Sequence, residues 1–480
     1  MTQILSKHRF TQIKSKKCVL FIICVYSVFL KFYKLNLILK MITDNSENTT
    51  NKEHITIIGS GIIGLFSAYY LSNEGYNVTI IERTNGDDGC SMGNAGMIVP
   101  SHFIPLAVPG MIEKGIRWMF NSESPFYVKP RLNLELLSWG LKFYQAANKK
   151  QVERAMPALR DISLMSKSLY QELAQNPNFD FAFEEKGLMM LCKTEHTFEE
   201  EIVVSKQANE LGLKTKILNI KELHELEPEV KPDVAGAIFY EGDAHLYPNQ
   251  LIRNLKNYLE NQGVNFLYNT EVTGFEFEKD IIKNIKIKQI SRDNETTLTH
   301  NSSLSTHQLI IATGSWSPIL ADLLKIGLPL QAGKGYSVTK EQNEGKKLNI
   351  PSILLEARVA ITPMSDSLIR FGGTMEIGGL NDKINMNRVN GIIKAVPDYF
   401  PDYQIDIPKK EQVWYGLRPC SPDGLPYIGR TQKYRNLIIA SGHAMMGLSL
   451  APATGKLVQQ IIDNQATMVD IKLYKPERYD

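Results

Sequence analysis

Residues 54–83, HITIIGSGIIGLFSAYYLSNEGYNVTIIER, constrain the fold more than any other stretch. His54 to Ile58 is a short β-rich run, followed at once by Gly59, Gly61 and Gly64 in G-x-G-x-x-G spacing. Leu65 to Asn73 reads as a helix, Gly75 ends it, and Val78 to Ile81 is a second apolar strand closing on Glu82 and Arg83. Strand, glycine turn, helix and strand in this order form a β-α-β unit built to bind a dinucleotide. Gly59 permits a tight turn, Gly61 lets a pyrophosphate approach the backbone, and Gly64 lets helix and strand pack closely. The helix N-terminus, at Ile62 and Ile63, offers free N–H groups and a positive dipole end. Glu82 is placed to accept two ribose hydroxyls and to repel a 2′-phosphate, which favours FAD or NAD over NADP.

A chain of 480 residues is too long for one ordinary core, so more than one domain is expected. The 54 basic and 51 acidic side chains nearly cancel, leaving no electrostatic reason to propose nucleic acid as a partner. Cys18, Cys24, Cys90, Cys192 and Cys420 are scattered and odd in number, which suggests neither a disulfide framework nor a metal site. A reducing, cytoplasmic setting is therefore expected, with association at the inner face of the membrane left open. Residues 1–53 stand apart from the fold pattern. The apolar run Cys18 to Leu30 is shorter than the roughly 18–20 residues that span a bilayer. Three readings stand: a reading frame extended upstream of Met41, a membrane anchor, or an export signal.

Beyond the first unit, residues 87–101 are glycine-rich and nearly uncharged, with Ser91, Asn94, Ala95, Gly96 and Met97 suited to approach a flat ring. Helices are expected over Phe103–Phe120, Leu132–Ala147, Pro157–Gln175, Thr197–Gly212 and Pro248–Gln262, and a strand pair over Phe181–Lys193. Thr270–Ile290 alternates like a β-meander. Leu309 to Ser317 ends an apolar strand in Ala312, Thr313 and Gly314, small residues that allow close backbone approach. Pro329–Thr339, Ile353–Thr362 and Leu368–Met375 read as strands of a second sheet. Near the C-terminus, strand Leu437–Ala440, the turn SGHAMMG with Gly442, His443 and Gly447, and a helix from Leu448 make a second helix N-terminus suited to partial negative charge.

Five stretches together, the unit at 55–82, CSMGNAGM at 90–97, GDAHLYP at 242–248, GKGYS at 333–337, and GLRPCSPDGLPYIG with SGHAMMGLSLAPATG at 416–455, resemble the D-amino-acid oxidase-like flavoproteins over about residues 54–465. The pattern is most similar to the bacterial D-amino-acid dehydrogenase small-subunit group, with glycine oxidase and D-hydroxyproline dehydrogenase nearby. The resemblance implies an α/β fold: an FAD-binding, Rossmann-like domain of glutathione-reductase type, interleaved with an α+β substrate domain on an antiparallel sheet. It assigns 54–165, 241–327 and 413–480 to the FAD-binding domain and 166–240 and 328–412 to the substrate domain. It implies FAD as cofactor, with Gly59, Gly61 and Gly64 at the pyrophosphate, Glu82 at the ribose, Asn94, Ala95, Gly96 and Met97 around the flavin, and Val272 facing the adenine. Gly442, His443, Gly447 and Leu448 would lie under the pyrimidine end, and Ile62, Ile63, Arg83, Ser91, Thr313 and Gly314 complete the shell.

The position matching a covalent flavin cysteine is Gly416, so the FAD is expected to be non-covalent. Arg418 matches a carboxylate-binding arginine, since a guanidinium fork suits a carboxylate. Tyr336 is expected as a wall or hydrogen-bond donor, His443 as a catalytic-site group packing on the flavin, and Lys334 near it. The implied reaction is oxidation of a small D-amino acid, or a cyclic one such as a hydroxyproline, with hydride passing from Cα to flavin N5. The electrons would go to a quinone or redox protein. Alternatives are a glycine- or sarcosine-type amine oxidase using oxygen, an RNA-modifying flavoprotein domain, and a non-catalytic FAD module.

Overall fold

The structure, a computed structural model, describes residues 53–110, 124–129, 131, 133–290 and 301–479. The N-terminal extension up to residue 52, and residues 111–120 of the helix expected over Phe103–Phe120, lie outside the described residues. Residues 103–110 form irregular chain rather than helix.

Short runs rich in β-branched residues, Thr included, make strands that are buried on both faces. The run His54–Ile58 is such a strand, and it pairs in parallel with Asn77–Ile81 on one side and Gln308–Ile311 on the other. Asn265–Leu267 extends the sheet beyond Asn77–Ile81, and Leu437–Ser441 beyond Gln308–Ile311, both in parallel. Tyr427–Arg430 closes the far edge antiparallel, giving six strands. Helix Ile62–Asn73 and helix Gly447–Ile462 pack on this sheet and cross each other closely. The crossing depends on Gly455, where a Cβ would stand 2.6 Å from the Phe66 carbonyl.

The second, larger sheet is mostly antiparallel. Gln331–Glu341 lies between Trp414–Cys420 and Leu368–Ile377, followed by Val359–Pro363, Ser352–Leu354, Leu188–Cys192, Gly236–Tyr240 and Thr215–Leu218. Phe126–Val128 pairs with Leu368–Ile377 off this path. Helix Met386–Tyr399 covers one face with Val389, Ile392, Ile393 and Val396. The expected meander is a hairpin, Thr270–Glu278 with Ile281–Gln289, joined by Asn301–Ser305.

Two local expectations shift. The helix expected from Pro157 runs over Lys149–Ala174, because Asn148 caps it by accepting from Gln151 N at 3.0 Å, and Pro157 sits in its interior. Of the strand pair expected over Phe181–Lys193, only Leu188–Cys192 is a strand. Phe181 is instead drawn into the first core beside Tyr170 and Phe179.

Candidate active site

The carboxyl ends of the central parallel strands, Ile58, Ile81 and Ile311, run straight into loops that open on one cavity of about 1220 Å³. Sites of this kind form where strand order reverses in an open α/β sheet. The glycine unit forms one end. Gly59 has φ +104°, and a Cβ there would stand 2.7 Å from Ala312 O. Gly64 lies so close to Gly59 that a Cβ would be 2.0 Å from Gly59 O. In front of Gly61 nothing stands within 4 Å of a Cβ position, so the backbone there faces open space. These three environments fit a tight turn, a close packing contact and a ligand-facing amide, in that order.

Glu82 borders the same end and already holds the loop together. Oε2 accepts from Ser60 N at 2.9 Å and Ser60 Oγ at 2.8 Å, while Oε1 accepts from Thr84 N at 3.0 Å and Thr84 Oγ1 at 3.2 Å. The two hydroxyl donors can rotate away when a ligand hydroxyl arrives, whereas the two amides stay. Arg83 lies over the Trp316 ring, 5.6 Å from its centroid, and Val272, Thr313 and Gly314 line the cavity nearby.

The loop from Ser91 to Met97 runs along the cavity under tension from the second sheet. Arg370, buried in strand Leu368–Ile377, donates from Nη1 to Met92 O at 3.1 Å and Asn94 O at 2.6 Å, and from Nη2 to Asn249 Oδ1 at 3.1 Å. Burial pulls its pKa down to about 10, so it remains a cation at neutral pH. Ser337 Oγ donates to Gly93 O at 2.9 Å. The loop's glycines answer to neighbours: a Cβ on Gly93 would stand 2.0 Å from the Trp414 ring, and one on Gly96, at φ +77°, 2.3 Å from Leu246 O. Asn94 folds back to accept from Gly96 N at 2.9 Å.

Arg418 comes from the edge strand Trp414–Cys420. Its guanidinium lies over Gly335, where a Cβ would be 2.2 Å from both Nη1 and Nη2. Nη1 donates to the carbonyl of Thr374. Among the described residues no carboxylate acts on it, and burial lowers its pKa from the ordinary guanidinium value. Thr374 has φ +64°, an unfavourable conformation for a β-branched residue, and this turns its carbonyl toward Arg418. The result is an unpaired cation at the cavity wall with one donor fixed and the remaining donors free.

A family model for FAD-dependent oxidoreductases matches residues 54–461. The chain belongs to the FAD-dependent oxidoreductase family. The protein named D-amino acid dehydrogenase from Helicobacter pylori strain J99 is 31% identical over 425 residues, covering 88% of this chain and 98% of that protein. One of the same name from Vibrio atlanticus is 28% identical over 423 residues, covering 87% and 97%. Among solved structures, glycine oxidase from Geobacillus kaustophilus superposes with a TM-score of 0.68 at 21% identity, covering 90% of this chain and all of that one. L-proline dehydrogenase from P. horikoshii gives a TM-score of 0.66 at 21% identity, covering 89% and 98%. The fold is the expected α/β oxidoreductase fold, and FAD is the oxidoreductase's cofactor.

The cavity suits that cofactor. It is long and continuous, with a bare amide at Gly61 and a second helix start at Gly447, where the nearest atom to a Cβ position is His443 Cβ at 3.8 Å. Gly64, Gly96 and Gly442 stand behind this wall and shape it: Gly442 has φ +79°, and a Cβ there would be 2.7 Å from Tyr427.

Tyr336 lines the cavity, as a wall residue would, while Lys334 is not among the lining residues. Tyr336 is buried in the second core, where its hydroxyl donates to Glu376 Oε2 at 3.2 Å and accepts from Asn385 N at 3.2 Å, so it offers no free donor. Lys334 lies on the same side of that strand, donating to Asn381 and to Lys383 O at 2.8 Å. His443 is buried, and Nε2 contacts Thr454 Oγ1 at 2.9 Å. That hydroxyl donates to Leu450 O at 2.9 Å, so Nε2 carries the proton. Burial drives the His443 pKa to about 3, which makes it a neutral, packed ring at the cavity edge. Arg370, Trp414 and Gly335 were not singled out from sequence. An arginine inside the apolar alternation of LIRFGG was the one available signal.

Proposed function

We propose that the protein oxidises a small D-amino acid, removing the Cα hydrogen and two electrons to give an imine that hydrolyses in water. The observation that carries this reading is Arg418, an unpaired guanidinium fixed to the Thr374 carbonyl at the wall of a flavin-sized cavity. Such a group clamps a carboxylate through two parallel hydrogen bonds and sets the direction in which Cα–H points. The relatives named D-amino acid dehydrogenase match over nearly their whole length, which supports the same substrate class. FAD, when bound, supplies the two-electron sink. Gly59, Gly61 and the start of helix Ile62–Asn73 would hold its pyrophosphate, Glu82 its ribose, and residues 91–97 its ring system, with Arg370 keeping that loop in place. The absence of a cysteine at Gly416 supports non-covalent binding. The strands of the two sheets alternate along the chain, which supports an FAD-binding part interleaved with a substrate part, as in the division drawn from sequence. Anaerobic mixing of purified protein with a panel of D- and L-amino acids tests the reading. Bleaching of the flavin band by D-isomers alone is the expected result, and bleaching by none of them defeats it.

A dehydrogenase needs an electron acceptor, and we assign it to a quinone or redox protein reached at a membrane surface. Among the described residues no helix is long and apolar enough to cross a membrane. Helix Leu134–Ala146, however, buries Trp139 and Phe143 while leaving Leu134, Leu137, Leu141 and Tyr144 exposed along one stripe. Lys129 and Arg131 precede the stripe, and Lys149 and Lys150 follow it; Glu135 is the acidic residue within it. Four bare apolar side chains between basic ends suit the headgroup boundary of an anionic bilayer. Flotation with anionic vesicles should carry the wild type and leave a Leu137→Ser/Leu141→Ser variant behind. Equal flotation of both, or self-association of the wild type without vesicles, overturns the bilayer as the occupant.

A further inference from the structure

Arg358 closes the turn between strands Ser352–Leu354 and Val359–Pro363. Its φ is +54°, a left-handed conformation that a non-glycine residue rarely adopts. Its side chain lines the cavity and is exposed there. Among the described residues it has no ion pair and no side-chain hydrogen bond. Glu201 feels its charge but lies beyond ion-pair distance, has its pKa raised by burial, and is hydrogen-bonded by Tyr240. Val359 pairs with Gly373, which puts Arg358 beside Thr374, the residue whose carbonyl holds Arg418. Two guanidinium groups without acidic partners therefore spring from one stretch of the cavity wall.

His102 also lines the cavity and lies in the field of Arg358. Burial and the Arg358 charge push its pKa down to about 4. Ser101 Oγ donates to buried Asp243, so the 3.2 Å contact between that Oγ and His102 Nδ1 places the imidazole proton on Nδ1. His102 is thus a neutral neighbour that does not neutralise the charge of Arg358.

We infer that Arg358 forms a second anion-accepting subsite, which takes the carboxylate of an acidic substrate side chain while Arg418 holds the α-carboxylate. The inference rests on the amino-acid reading above and names the substrate class: D-amino acids of the aspartate and glutamate type. It accounts for a cation kept unpaired in a strained turn at the rim, since strain of this kind clusters where a ligand is held.

The test compares matched substrates on the holoenzyme, D-glutamate against D-glutamine and D-aspartate against D-asparagine. The wild type should favour the acid in kcat/KM by about tenfold, the size expected of one charge-assisted contact in a partly open site. Arg358→Gln should abolish that ratio while leaving the neutral amides within about twofold of wild type, and Arg358→Glu should invert it. An unchanged ratio in Arg358→Gln overturns the assignment. The wild type gives an independent readout: glutarate should perturb the flavin spectrum at lower concentration than butyrate, and the difference should shrink at high salt. Equal binding of the two acids also overturns the subsite. If no D-amino acid bleaches the flavin yet glutarate outbinds butyrate, the subsite stands and the reaction assignment falls.

Discussion

Gly335→Ala tests the clamp without touching it. Gly335 faces Gly416 across the strand pair, and its backbone is extended, so alanine is tolerated by the main chain. A Cβ at that position would stand 2.2 Å from Nη1 and Nη2 of Arg418 and 2.3 Å from Cζ. Ordinary contact begins near 3.4 Å, so the guanidinium must retreat by roughly 1.2 Å. The obstacle is the flexible end of a long side chain, so the fold survives and the arginine moves off the Thr374 carbonyl. Misplacing a positioning group by about 1 Å costs roughly 10²-fold in rate, equivalent to about 2.7 kcal/mol. The assay is anaerobic flavin reduction by a D-amino acid, compared with the simple amine that lacks its carboxylate. FAD content and Tm should match wild type, the amino acid should lose about 10²-fold in kcat/KM, and the amine should lose little. In an Arg418→Ala background the extra methyl should do nothing further, because its only victim is gone. Wild-type kinetics in Gly335→Ala, or equal losses for amine and amino acid, would refute the placement of the clamp.

Arg418→Ala itself should lose roughly 10²–10⁴ in kcat/KM with normal FAD content, and Arg418→Lys should recover only part of it, because a point charge cannot reproduce the fork. Gly64→Ala should abolish FAD loading or folding, since its Cβ would meet backbone, Gly59 O at 2.0 Å, which cannot step aside; full loading would exclude the packing role of that glycine. Acid precipitation should release FAD into the supernatant, and flavin retained in the pellet would mean a covalent bond. His443 is held neutral with its pKa near 3, below the ordinary 6.5. The folded state therefore binds fewer protons than the unfolded one, so this contribution is present above pH 6.5 and is lost as pH falls toward 3. At about 1.36 kcal/mol per unit it amounts to at most about 5 kcal/mol, and His443→Gln should make the acid-side fall in urea-measured stability shallower.

The glycine unit was legible because its chemistry is local. Gly59 and Gly64 meet within one turn, so their spacing carries that contact, whereas the approach of Gly59 to Ala312 O spans the chain and was not legible. The first sheet followed because short β-branched runs bounded by glycines read as buried strands. The second sheet's contribution to the site was not legible. Strand GKGYS alternates as expected, but alternation does not say which face meets the flavin loop. Ser337 and Gly335 face it, while Lys334 and Tyr336 turn to the opposite side, toward Asn381 and Glu376. A shift in pairing between Lys334 and Tyr336 adds to the ambiguity. The helix expected from Pro157 begins earlier because the Asn148 cap sets its start, ahead of the apolar positions that marked it.

Gly335 and Arg370 show why sequence spacing has a horizon at such sites. Gly335 is glycine because of Arg418, a residue on another strand, and nothing near it in the chain requires the small side chain. Arg370 is arginine because the carbonyls of Met92 and Asn94, far upstream, need a donor in a place with little water. The first contact joins two strands of the second sheet, and the second ties that sheet to the loop over residues 91–97. Arg370→Met would keep the strand's bulk and remove those donors. Two buried carbonyls would lose partners at about 1–3 kcal/mol each, and the loop would loosen from the sheet. FAD affinity should then fall together with kcat/KM, in contrast to Gly335→Ala, where only the carboxylate-dependent rate moves. If Arg370→Met loses activity with its FAD affinity intact, Arg370 serves the substrate side alone and the loop is held by Ser337 and the packing of Trp414 on Gly93.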